Sequence, residues 1–124
     1  MKNVIFTLIL FLVAISAKSQ LVGTKWKGNV NLPNPTPVIM NFQKDVAELT
    51  FAMNGSPLES ASYSIKKDTI IFKKLFGGSP CAGNSVYTVK FSITDDKLSI
   101  VPIADECEQR LNAWTKEAFV RVKE

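Results

Sequence analysis

"ELTFAMNGSPLESASYSIKKD", residues 48–68, decides the fold. Leu49, Phe51 and Met53 alternate with smaller or polar residues, an Asn-Gly pair follows, and Ala61, Tyr63 and Ile65 resume the alternation up to a charged turn at Lys66, Lys67 and Asp68. Successive side chains of a strand point to opposite faces, so a period of two marks a half-buried strand. Asn-Gly between two such runs is the strongest short-range hairpin signal, because both residues tolerate the backbone angles a tight turn needs. Asn54-Gly55-Ser56 also spells a glycosylation acceptor, but the turn accounts for the same residues mechanically.

Working outward, the pattern repeats. Trp26, Gly28 and Val30 alternate before the proline-rich loop "NLPNPTP", and Val38, Met40 and Phe42 alternate after it. Ile70 and Phe72 point inward on "TIIFKKLF"; Tyr87, Val89, Phe91 and Ile93 do so on "SVYTVKFSI"; Leu98 and Ile100 do so on "LSIVPI". "AFVRV" closes the chain as an eighth strand. The turns are mostly too short for the crossovers that parallel pairing requires. The expected fold is therefore all-β, an eight-stranded antiparallel up-and-down barrel with no free edge. One short helix interrupts it before the last strand. "DECEQRLNAWTKE" offers Asp105 as an N-cap with Glu108 three residues on, and Cys107, Leu111 and Trp114 at helical spacing on one face. That face is expected to plug a barrel mouth.

The first 19 residues read differently. Lys2 precedes an apolar run, Val4 to Ile15, broken only by Thr7, and small residues follow at Ser16, Ala17 and Ser19. This is the pattern of a secretory signal peptide, too short for a membrane span, which needs roughly 18 apolar residues. Residues 1–19 are thus expected to be a signal peptide and 20–124 a single exported domain, periplasmic or secreted and soluble after cleavage. Loss of Lys2 and Lys18 with the leader lowers the formal net charge of +4 to +2. With no clustered basic face, nucleic acid is not an expected partner. Lys66-Lys67 and Lys73-Lys74 read as solvated strand ends.

Two cysteines, Cys81 and Cys107, remain in an exported chain, and an even pair in an oxidising compartment reads as a disulfide. Such a bond would tie the loop "GGSPCAGN" to the helix and stabilise by roughly 3–4 kcal/mol through loop closure. The catalytic alternatives compare poorly. The sequence has no histidine to activate a thiol, two cysteines among scattered acids make a weak zinc set, and no phosphate-binding loop is present. No enzyme activity, cofactor or metal is expected. Arg110 could bond a carbonyl, pair with Asp105, or reach over the mouth toward an anionic ligand.

Three stretches carry a resemblance: "LVGTKWKG" on the opening strand; "SPCAGNSVYTVKF" followed by "DKLSIVPIADECEQRLNAW"; and the closing "AFVRV". Through them the chain resembles the small exported bacterial lipocalin-like proteins of the calycin group. The resemblance implies that Trp26 closes the barrel bottom with Arg121 packed over its ring. It also implies a non-catalytic binding protein for a small apolar or amphipathic ligand. That ligand would sit among Met40, Phe42, Phe51, Met53 and Tyr63 on one side. Phe72, Tyr87 and Phe91 would face it, with Arg110 as a polar contact. The same residues would equally fill a ligandless core. The competing expectation is a disulfide-stapled module binding a protein or glycan through its loops, favoured by exposure of Leu75 and Phe76. A cavity lined by aromatics favours the first.

Overall fold

The computed structural model describes residues 20–123; the expected signal peptide, residues 1–19, lies outside the described residues. Eight strands run in chain order: β1 (Lys25–Asn31), β2 (Pro35–Phe42), β3 (Val46–Phe51), β4 (Pro57–Lys66), β5 (Thr69–Phe76), β6 (Val86–Thr94), β7 (Lys97–Asp105) and β8 (Phe119–Arg121). Each pairs antiparallel with its neighbour, and β8 pairs with both β7 and β1, closing the barrel. A short helix, α1 (Glu108–Ala113), precedes β8. Among the described residues no helix is long and apolar enough to cross a membrane.

The inward residues expected from alternation form one buried cluster, including Trp26, Val30, Val38, Met40, Phe42, Ala61, Tyr63, Ile70, Phe72, Tyr87, Val89, Phe91, Leu98 and Ile100. Rings from different strands pack on one another: Phe72 stacks on Tyr87 at 4.6 Å between centroids, and Phe42 meets Tyr63 edge-on at 5.4 Å. Offset-stacked and edge-to-face pairs are the preferred aromatic arrangements.

The β3–β4 hairpin corrects one expectation. Phe51 N–H donates to the Ser56 carbonyl and Gly55 N–H to the Phe51 carbonyl, so the turn consumes Ala52 to Gly55. The strand ends at Phe51. Phe51 is half-buried outside the core cluster, and Met53 is 88% exposed. Met53 therefore does not line the interior, because it stands in the turn and not on the strand.

At one end the chain preceding β1 folds across the barrel. Gly23 and Phe42 exchange backbone hydrogen bonds with their surroundings, Gly23 N–H to the Phe42 carbonyl and Phe42 N–H to the Thr24 carbonyl. Leu21 is fully buried there. The Trp26 indole N–H donates to Thr24 Oγ1 at 2.8 Å, and the Arg121 guanidinium lies 4.6 Å from the Trp26 ring centre. Gly28 is required close by: a Cβ there would stand 2.7 Å from the Phe119 ring.

Candidate functional site

The other end is capped by α1 and by the β5–β6 loop, residues 77–85. Gly77 lets that loop lie directly on β4. Its φ is +136°, and a Cβ would fall 2.6 Å from the Leu58 carbonyl oxygen. Ser79 N–H then donates to the same carbonyl, and Ser79 Oγ donates to Glu59 Oε1 at 2.8 Å. The disulfide joins Cys81 of the loop to Cys107, the residue preceding α1, with Cα atoms 5.6 Å apart.

Beneath the disulfide lies a polar clamp. Arg110 Nε and Nη2 donate to the two oxygens of Asp105 at 2.8 and 2.7 Å. Its Nη1 donates to Glu59 at 3.1 and 3.2 Å and to Ser85 Oγ at 3.3 Å. The guanidinium also covers Tyr87, 3.8 Å from the ring centre. Burial opposes the charge of Arg110, but the Asp105 hydrogen bonds and the Glu59 and Asp105 charges outweigh it, and its pKa is raised. Burial, reinforced by the Glu59 charge, holds the Tyr87 hydroxyl well above its ordinary pKa, with Arg110 opposing. Lys74 is buried as well, its Nζ donating to the carbonyls of Ser79 and Cys81 at 3.0 and 2.6 Å.

These contacts correct three sequence expectations, for Asp105, for the helix face and for Lys74, and decide among the alternatives for Arg110. Asp105 ends β7 and does not cap α1; its carboxylate accepts from the Cys107 N–H and from Arg110. Because Cys107 is extended and the helix begins at Glu108, helical spacing cannot be counted from Cys107. The inward residues are Arg110, Ala113 and Trp114, while Leu111 is exposed. Arg110 is engaged by two carboxylates and not free for an anionic ligand. Lys74 is no solvated strand end. It shares the inward parity of Ile70 and Phe72, as Glu59 shares that of Ala61 and Tyr63, and that parity is the sequence signal that identifies both.

A cavity of about 80 Å3 sits under α1. Its walls are Val30, Leu49, Leu58, Ala113 and Trp114, with Tyr87, Glu59 and Arg110 at one side and exposed Leu32, Pro80 and Gln109 at the rim. Below it a void of about 10 Å3 lies among Met40, Leu49, Phe72, Tyr87 and Trp114. Of the nine residues expected to hold a ligand, only Tyr87 and Arg110 line the upper cavity. Met40, Phe72 and Tyr87 line the void; Phe42, Tyr63 and Phe91 are core residues lining neither. For scale, an apolar cavity of about 150 Å3 holds a benzene ring.

Trp114, with Leu49, Glu59 and Tyr87, lines both spaces. It packs against Tyr87 and Phe119 with ring centres 6.5 and 6.4 Å away. Among the described residues its buried indole N–H has no hydrogen-bond partner, an arrangement that costs about 1–3 kcal/mol.

Comparison of the chain with protein-family models, with curated proteins and with solved structures gives no match.

Proposed function

We propose that the chain is an exported, lipocalin-like binding protein of the calycin group, non-catalytic, that takes a small apolar or amphipathic ligand at its capped mouth. The cavity under α1 carries this reading. Its walls are apolar, as ligand sites generally are, while the polar groups beside it already satisfy one another. The closed eight-stranded barrel and the Trp26–Arg121 contact at its far end support the lipocalin-like assignment. The absence of histidine in the sequence and the pairing of both cysteines leave little for nucleophilic chemistry.

Native mass spectrometry on protein exported to an oxidising compartment tests the proposal. A reproducible adduct that disappears on denaturation is expected, and its mass gives the ligand. A clean apo mass that persists after exposure to lipid extracts would overturn it.

One observation favours a second reading. Leu75 and Phe76 are 46% and 62% exposed beside the 77–85 loop. Leu75 has the outward parity of Ile71 and Lys73, and the β4–β5 register shift, which sets Lys74 opposite Ala61 and Phe76 opposite Ser60, takes Phe76 out of the inward parity of Phe72 and Lys74. This rim suits a stapled module that binds a protein or glycan through its loops. Its signature is an apo mass together with partner capture that is lost when Leu75 and Phe76 are both changed to Ser.

A further inference from the structure

The two ends of α1 are held unequally. At its start, the Cys81–Cys107 disulfide and the Arg110 contacts to Asp105, Glu59 and Ser85 fix the chain to the loop and to β4. At its end, Trp114 leaves the helix in an extended conformation. Its ring is half-buried against two other rings, and its indole N–H has no partner among the described residues. A side chain that swings outward from there gives its N–H to water and vacates a place that borders both the upper cavity and the void. The unpaired N–H thus offsets part of what burial of the ring contributes, and narrows the gap between the closed and the open positions.

We propose that Trp114 is a displaceable wall, and that the ligand is an uncharged, flat ring compound that takes the place of its indole between Tyr87 and Phe119. The inference rests on the binding reading above and names the class of ligand. Flatness follows from the neighbours, because the vacated place lies between two aromatic rings and the preferred aromatic contacts are offset or edge-on. Charge is excluded in both directions. Arg110, the cation beside the upper cavity, is already paired with Glu59 and Asp105, so an anion finds no free partner there. The Tyr87 ring and the carboxylates of Glu59 and Asp105, which would attract a cation, are already covered by Arg110. A buried charge without a partner is strongly disfavoured.

Two nearly isosteric dyes separate the possibilities. N-phenyl-1-naphthylamine is uncharged, and 8-anilino-1-naphthalenesulfonate adds one sulfonate. The chain has two tryptophans, and the Trp26 indole N–H, bonded to Thr24, serves as an internal reference in a nitrogen–proton correlation spectrum. The uncharged dye is expected to bind saturably, at least about tenfold tighter than the sulfonate. It should shift the Trp114 indole signal and leave that of Trp26 in place. In the free protein the Trp114 N–H should exchange with solvent at least about tenfold faster than the Trp26 N–H. Trp114→Ala removes the wall, so the uncharged dye should bind several-fold tighter, as when a closed state no longer competes.

Binding of the dye with an unmoved Trp114 signal would overturn the displaceable wall and leave the binding reading standing. Equal or tighter binding of the sulfonate would overturn the charge selection. Exchange of the Trp114 N–H as slow as that of Trp26 would overturn the wall even if the Ala variant fails to fold. If neither dye binds the wild type or a folded Ala variant, the binding reading falls as well.

Discussion

At the far end of the barrel Leu21, Trp26 and Phe42 are almost wholly buried, and the polar edge of Trp26 is bonded to Thr24 two residues away. At the capped mouth the buried groups are Glu59, Lys74, Ser85 and Arg110, held to one another and to loop carbonyls across long stretches of chain. Both ends bury side chains, but by different means. One is a local apolar seal with a cation lying over it. The other is a set of charges and a covalent bond, which hold a loop and a helix in place without filling the space beneath them. A packed apolar end leaves no room for a guest, whereas an end held by directional bonds can keep its shape around a cavity. The apolar-walled cavity lies at the second end, whereas the cleft at the far end, among Gly23, Thr24, Lys25, Arg121 and Val122, is more polar and more open.

Arg110→Ala should have the largest effect. It leaves Glu59 and Asp105 without their cation in a buried setting, and removing one partner of a buried ion pair costs about 3–5 kcal/mol. Urea unfolding measures it. A loss under about 1 kcal/mol would mean that the mouth is wetter than its geometry, and that the two ends are less different than described. Removal of the disulfide by Cys81→Ser with Cys107→Ser comes next, at about 2–4 kcal/mol. The same loss should follow reduction of the wild type. Since Arg110 still holds α1, the double variant should retain its fold under native conditions, which the Trp26 indole signal reports.

The sequence made the barrel legible because its two strongest signals, alternation and turn residues, are local. Tyr63, Phe72 and Tyr87 could be placed inward from their neighbours alone. The mouth was less legible, because its residues are defined by partners far along the chain. Glu59 and Arg110 are 51 positions apart, and nothing near either names the other. Met53 was misplaced for a related reason. Whether Asn54-Gly55 closes a two-residue turn or ends a longer one depends on which carbonyl accepts the Gly55 N–H, and here it is that of Phe51. The unpaired indole of Trp114 has no sequence signal at all.

Gly28→Ala probes the seal between β1 and β8. The new methyl group meets the side of the Phe119 ring, and overpacking of this kind costs typically about 1–3 kcal/mol. Because Phe119 also touches Trp114, the variant tests whether the two ends are coupled. A stability loss with unchanged Trp114 indole exchange means that the seal yields locally. Faster exchange means that Phe119 transmits strain to the mouth.

The smallest effect belongs to Asp96, on the turn between β6 and β7 beside the seal. The hydrogen bond from Lys123 holds its carboxyl below the ordinary value of 3.8, against a small opposing effect of burial, and the charges of Lys123 and Arg121 lower it further. A group whose pKa is lower in the folded state contributes stability that is fully present above its unfolded pKa. That contribution is lost as pH falls through the folded one. The Asp96 part of the acid-stability curve therefore lies below about pH 4 and should vanish in Asp96→Asn. It should also shrink in about 1 M salt, since Asp96 is half exposed and Lys123 more so. The Arg110 cluster, with side chains under one-tenth exposed, should show no comparable salt dependence. Stability measured at two salt concentrations, in wild type, Asp96→Asn and Arg110→Ala, thus separates a screened ion pair at the seal from an unscreened one at the mouth. A salt sensitivity that falls in Arg110→Ala as it does in Asp96→Asn would show that solvent reaches the clamp and would remove the basis for treating the mouth as an enclosed site.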